Sequence, residues 1–153
     1  MKKYYNYIYL NPLKPGKYKL GKLNFCLLYE PFYVGKGQGD RYLQHIKECF
    51  KTEGNRIFKR KDSLKCNKLT EILKELLKTY SIEDSIKIIG NHILVFGFSD
   101  KEETVLKNEK IMINQIGCIK DKRGSLVNLK DVGVRMNFNS SAIQKNIKKF
   151  KGL

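Results

Sequence analysis

The sequence predicts a single domain of mixed α/β (α+β) class, and three observations lead there. Its 153 residues match one ordinary domain, long enough to bury one core without disulfides or a structural metal. Aromatic and β-branched runs crowd the first 34 residues. Apolar residues recur at helical spacing from Leu69 to Tyr80 and again from Val105 to Ile116.

Taken in order, Tyr4-Tyr5-Asn6-Tyr7-Ile8-Tyr9-Leu10 reads as a first strand that stops at Asn11-Pro12. Asn11 to Gly21 carries two prolines, two glycines and three lysines and reads as a loop. The β-prone runs Asn24 to Tyr29 and Phe32 to Val34 continue a meander. Gly35-Lys36-Gly37-Gln38-Gly39 then releases the chain into a helix whose first turn is Asp40 to Leu43, with Tyr42, Ile46, Cys49 and Phe50 on its inner face. Seven basic residues against two acidic ones from Lys51 to Lys68, broken by Gly54, Asn55 and Asn67, predict a solvated basic loop. Leu69, Ile72, Leu73, Leu76, Leu77 and Tyr80 mark an amphipathic helix. Ile86 to Ile89 and Ile93 to Phe98 are β-prone. Ser99-Asp100-Lys101-Glu102 fits a capping box for a helix that runs to Ile116 and stops at Gly117. Leu126 to Leu129 is the last strand candidate, and Gln144 to Lys151 is a lysine-rich end.

Charge narrows the partners. With 31 Lys plus Arg against 15 Asp plus Glu, the formal charge is +16, which predicts attraction to a polyanion, nucleic acid first. No apolar run approaches the ~20 residues that span a bilayer, and Met1 to Tyr5 leads into no signal-peptide pattern, so no membrane role and a cytoplasmic setting are expected. The four cysteines, Cys26, Cys49, Cys66 and Cys118, form no CxxC pair and are expected as reduced thiols, not as zinc ligands.

Certain residues carry chemistry. Glu109 interrupts the stripe formed by Val105, Met112, Ile113 and Ile116; a carboxylate there must be paired, protonated, bound to a cation or turned to water. Arg41 and His45 are four apart on one helix face, opposite Ile46 and Cys49, a spacing suited to gripping phosphate or to an ordinary polar face. The glycine cluster fits neither a Walker A motif, since Gln38 follows Gly37, nor a dinucleotide fingerprint; tight turns with positive φ account for it.

In order, Tyr7-Ile8-Tyr9, then Tyr33-Val34-Gly35, then Arg41 with His45, then Glu109 with Gly117, then Asn128, the chain resembles the GIY-YIG nuclease family. The stretch Pro31 to Arg41 with His45 is similar to the PFYVGKGxGxR…H second motif of one branch, and the resemblance covers about Tyr7 to Gly133. It implies a small three-stranded antiparallel sheet flanked by helices, and a divalent-metal-dependent DNA endonuclease that needs Mg²⁺ or Mn²⁺ and no small-molecule cofactor beyond the metal. Carried over by position, Glu109 ligates the metal, Tyr9 activates or orients the attacking water, and Tyr33 contacts the reacting phosphate or assists proton transfer. Arg41 stabilises phosphoryl charge, His45 contacts phosphate or moves a proton, and Asn128 supports the site through hydrogen bonds. Gly35 closes the second motif, and Lys36 lowers the pKa of a nearby tyrosine. Tyr7 stands where the first motif has glycine, and the 23 residues between Tyr9 and Tyr33 exceed the family's usual spacing, so Asn11 to Glu30 is read as an inserted loop or hairpin. The division expected is a nuclease domain at 1–135 and a basic tail at 136–153.

Arg56, Lys59, Arg60, Lys61 and Lys65 of the basic loop are the DNA-gripping candidates. A non-catalytic nucleic-acid-binding protein is the competing class, and the ordered set Tyr9, Arg41 and Glu109 separates the two, because a binding module has no use for a carboxylate against a polyanion. Homing, restriction, defence and repair roles stay open.

Overall fold

A computed structural model describes residues 2–19, 26–54, 56–119, 122 and 124–128. The boundary at 135, the tail 136–153 and Leu129 lie outside them. The elements are β1 (Tyr4–Lys19), β2 (Cys26–Gln38), α1 (Arg41–Cys49), β3 (Phe50–Glu53), β4 (Arg56–Lys59), α2 (Leu64–Leu76), α3 (Ile82–Asn91), β5 (Ile93–Ser99) and α4 (Glu102–Ile116).

The main sheet has three strands in the order β2-β1-β5, with β1 antiparallel to both neighbours. The two tyrosine motifs lie side by side: Tyr7 pairs with Gly35, Ile8 with Val34 and Tyr9 with Tyr33. Because side chains alternate along a strand, Tyr5, Tyr7 and Tyr9 share one face, packed with Ile46, Leu69, Ile72 and Ile89 of α1, α2 and α3. Ile8, Leu10, Val34, Leu94 and Phe96 point the other way, onto Ile111, Met112 and Ile113 of α4. Helices thus cover both faces, and each has its own apolar core.

The described parts of the insertion, 11–19 and 26–30, extend the sheet. The expected loop from Asn11 forms no break in β1, which runs to Lys19 against a single β2 in place of the two runs expected at Asn24 to Tyr29 and Phe32 to Val34. Shifts of register after Tyr9, Asn11 and Pro15 absorb the prolines, and beyond Tyr9 β1 no longer pairs with β5, so a missing N–H on that side is harmless.

Further expectations need correction. The basic segment is not a loop: it folds into a two-stranded ribbon, β3 against β4, turning at Gly54 (φ 59°), followed by the first turns of α2. Ser63 caps α2, its hydroxyl accepting from the Cys66 N–H at 3.2 Å, which starts the helix ahead of its apolar stripe. Ile86 to Ile89 is helical, not β; Ser81 accepts from the Asp84 N–H at 3.1 Å, and Glu83 and Asp84 favour a helix N-terminus. The capping box at Ser99 does not form, since its hydroxyl takes the Lys101 N–H and α4 begins after Lys101. Gly117 ends α4 as expected, with φ 87° and its N–H on the Ile113 carbonyl. Leu126 makes only an isolated bridge to Cys118.

The cysteines also depart from expectation. Cys49, at the end of α1, and Cys66, in the first turn of α2, form a disulfide with a Cα separation of 5.1 Å, while Cys26 and Cys118 belong to no disulfide. Packing of two helices brings together positions 17 residues apart that no spacing rule connects.

Candidate active site

The site lies where β1, β2 and α1 meet, with α4 crossing behind. Two glycines of the cluster permit the close packing there. A methyl at Gly35 would overlap the phenol of Tyr7, and one at Gly37 would lie 2.7 Å from the Arg41 β-carbon. Only Gly39, at the turn into α1, needs its positive φ of 60°.

Tyr7 and Tyr9 are each about 1% exposed. The Tyr9 hydroxyl donates to the Tyr42 carbonyl of α1, so the phenol implied as water activator is turned into the helix backbone. The Tyr7 hydroxyl bonds Nε2 of His45. Tyr33 is half-buried, its ring centre 5.1 Å from that of His45 and 6.0 Å from that of Tyr9.

His45 departs from the face opposite Ile46 and Cys49 expected of it, while Arg41 lies among polar groups of its own helix. His45 is 3% exposed and packed with Ile46 and Cys49 against the sheet, because the tyrosine row offers its ring a polar partner. Arg41 reaches Glu48 at 2.7 Å and Gln44 at 3.0 Å along its own helix. Glu48 Oε2 also lies 3.4 Å from His45 Nδ1, and Lys65 Nζ lies 2.6 Å from the same nitrogen. Lys65 therefore belongs to this cluster and not to an open loop.

Asn6, buried in β1, donates to the Val105 carbonyl at 2.8 Å, fixing the start of α4 on the sheet. One turn later Glu109 is half-buried, and its charge raises the pKa of both Tyr7 and Tyr33. Asn128 pairs with the outer edge of β2 like a strand: its side chain accepts from the Val34 N–H at 3.0 Å and donates to the Val34 carbonyl at 2.8 Å. Lys36 is bound to Glu102 of α4 at 2.6 Å. It lines a cleft of about 320 Å³ with Tyr4, Gln38, Arg41, Gln44 and Glu102.

Burial dominates the electrostatics. It pushes the phenols of Tyr7, Tyr9 and Tyr33 up, and Arg41 opposes the rise without reversing it, so cations do not create a phenolate in the protein alone. Burial, then Lys65 and Arg41, bring His45 down to about 4, which leaves it neutral at pH 7. Burial would lift Glu48, but Arg41, His45 and Lys65 together hold it below the usual range.

Of the residues expected at the site, Tyr9, Tyr33, Arg41 and His45 are gathered in one cluster, Glu109 acts on it electrostatically, and Gly35 and Asn128 shape β2 beside it. Arg56, Lys59, Arg60 and Lys61 lie apart on the exposed ribbon and just after it. Sequence reasoning passed over Tyr7 and Glu48. Both had a signal: Tyr7 is two residues from Tyr9 on one strand face, and Glu48 is three from His45 and seven from Arg41 on one helix face.

A family model described as a LEM-3-like GIY-YIG domain matches residues 4–131. The chain belongs to the GIY-YIG nuclease family. No curated protein and no solved structure gives a significant match. The three-stranded antiparallel sheet and its flanking helices agree with that membership, and the paired tyrosine motifs of β1 and β2 are the strands that name the family. This is a nuclease-type GIY-YIG domain, for which DNA is the implied substrate. No helix among the described residues is long and apolar enough to cross a membrane.

Proposed function

We propose that the protein is a divalent-metal-dependent DNA endonuclease that hydrolyses phosphodiester bonds. The observation that carries this reading is the gathering of the Tyr9, Tyr33 and His45 rings, with centres 5.1 to 6.0 Å apart, in a GIY-YIG domain. Hydrolysis of a phosphodiester needs a positioned water, charge stabilisation on the non-bridging oxygens and help for the leaving oxygen. The Glu109 acid, the Arg41 fork and the Tyr33 phenol are groups of the kinds that match those needs.

Glu109 is the residue that would hold Mg²⁺ or Mn²⁺. Among the described residues no three acidic, histidine or cysteine side chains form a metal cage. A single half-buried carboxylate ligand still fits Mg²⁺, which commonly keeps its waters and takes one or two carboxylates plus substrate phosphate. When bound, the ion supplies Lewis acidity and offsets the Glu109 charge that raises Tyr33. Arg41 grips a phosphoryl oxygen, exchanging one of its contacts with Glu48 for the ligand. Tyr33, the half-exposed phenol, orients the water, while Tyr9 holds α1 against the sheet through the Tyr42 carbonyl.

The test is incubation of the purified chain with plasmid DNA in Mg²⁺ or EDTA, with sequencing of the ends. Cleavage with Mg²⁺ that Glu109→Ala abolishes, while DNA affinity stays equal or rises, supports the reading. DNA bound and left intact in Mg²⁺ and Mn²⁺ supports a non-catalytic binding protein instead.

A further inference from the structure

Lys65 sits in the first turn of α2, next to the Cys66 whose disulfide joins that turn to the end of α1. Its side chain is 19% exposed, and the ammonium lies 2.6 Å from His45 Nδ1, 3.9 Å from Glu48 and 5.2 Å from the centre of the Tyr33 ring. The other nitrogen of His45 faces the Tyr7 hydroxyl.

An ammonium has only hydrogens to offer. A hydrogen on Nδ1 would therefore confront the Lys65 donor at 2.6 Å, so Nδ1 must present its lone pair. The neutral ring then carries its hydrogen on Nε2 and donates it to the Tyr7 oxygen. Glu48 is the competitor, since it could accept from an Nδ1–H, but its Oε2 is the more distant neighbour at 3.4 Å and its Oε1 is engaged by Arg41.

We propose that Lys65 is a positioning residue for DNA cleavage: it fixes His45 as the Nε2–H tautomer, so that Tyr7 accepts from the ring and keeps its own O–H to aim at Tyr33 and Glu109. The inference rests on the nuclease reading. Tyr7, the tyrosine at the glycine position of the first motif, has its ring centre 6.3 Å from that of Tyr33, and its phenol also feels the Glu109 charge. A donor aimed at that pair holds their oxygens where water and metal are needed. The chain of donors runs from Lys65 through His45 and Tyr7 to the working groups.

Long-range ¹H–¹⁵N correlation of the imidazoles in the full chain at pH 7 reads the tautomer directly. The expected spectrum has His45 protonated on Nε2, and Lys65→Met moves the hydrogen toward Nδ1. Single-turnover cleavage by Lys65→Met at saturating protein should fall about tenfold, the equivalent of one hydrogen bond. Tyr7→Phe should lose a similar factor, and the double variant little more than either single one. An Nδ1–H ring in the wild type overturns the proposal, as does a Lys65→Met protein that cuts at the wild-type rate. If the wild type cuts no DNA with any divalent metal, the nuclease reading fails and takes the catalytic half of the proposal with it, while the spectrum still decides whether Lys65 sets the tautomer.

Discussion

Tyr7 and Gly35 face each other across the β1–β2 ladder, and the phenol of the first occupies the space that a side chain on the second would fill. Tyr7 fits at the position where the first motif has glycine because Gly35, opposite it, carries no side chain.

Gly35→Ala should accordingly destabilise the protein by about 1–3 kcal/mol, the usual cost of overpacking a core. Shortening the opposing residue in Tyr7→Ala should remove most of the clash. A double-mutant cycle read by urea unfolding then shows favourable coupling between the two changes. Additive losses would mean that the two positions do not share the space.

Acid should weaken the fold through His45. Its folded pKa, about 4, lies below the ordinary 6.5. Between those values the unfolded chain binds a proton that the folded chain refuses, so stability falls as pH drops through this window and is intact above it. Burial is the first cause, with Lys65 and Arg41 adding repulsion. Chemical denaturation at pH 7 and at pH 4.5 should differ by ~2 kcal/mol from this group, and His45→Gln should flatten the difference. Stopping at pH 4.5 keeps most of the carboxylate contribution, including that of Glu48, out of the comparison.

The Cys49–Cys66 bridge closes a short segment across the ribbon, its ends 17 positions apart, and both cysteines are fully buried. Loss of such a cross-link costs about 3 kcal/mol. Thermal unfolding with and without dithiothreitol should show a lower midpoint in the reductant, and Cys49→Ala with Cys66→Ala should lower it without further response to reductant. A wild-type midpoint indifferent to dithiothreitol would mean that the bridge contributes nothing to stability.

Much of this was legible in the residues. The first strand was readable from its aromatic β-prone run, and helical spacing placed Glu109 within the apolar stripe of α4. The rest failed for physical reasons. Isoleucines at 86, 88 and 89 suggested a strand, but the Ser81 cap and the burial of Ser85 and Ile89, four apart, make a helix. The sequence sets His45 opposite Ile46 and Cys49, and its burial beside them is hidden because its partners, Tyr7 and Lys65, come from distant elements. The same reason hid the disulfide, which depends on how α1 and α2 pack.

The last prediction separates grip from chemistry. On the β3–β4 ribbon, Lys51 pairs with Phe58 and Glu53 with Arg56, while Phe50 and Thr52 oppose Lys59 and Ile57. Phe50 is buried and Lys59 reaches Asn67 of α2 at 2.7 Å, so that face looks inward and Arg56 belongs to the outward one. Arg60 and Lys61 follow, also exposed. Arg56, Arg60 and Lys61 are therefore the cations expected to meet phosphate, with Lys59, which also lies 3.5 Å from Asp62, contributing less. Replacing those three by Ala should weaken DNA binding and reduce the log-log salt slope by up to about three, one unit for each neutralised phosphate. Lys59→Ala alone should change the slope by less than one. Single-turnover cleavage at saturating protein should hold near the wild-type rate, because none of the three belongs to the cluster around Tyr33. Affinities measured at several salt concentrations decide the matter: an unchanged slope in the triple variant removes the ribbon from the DNA interface, and a lost saturated rate places it in the chemistry.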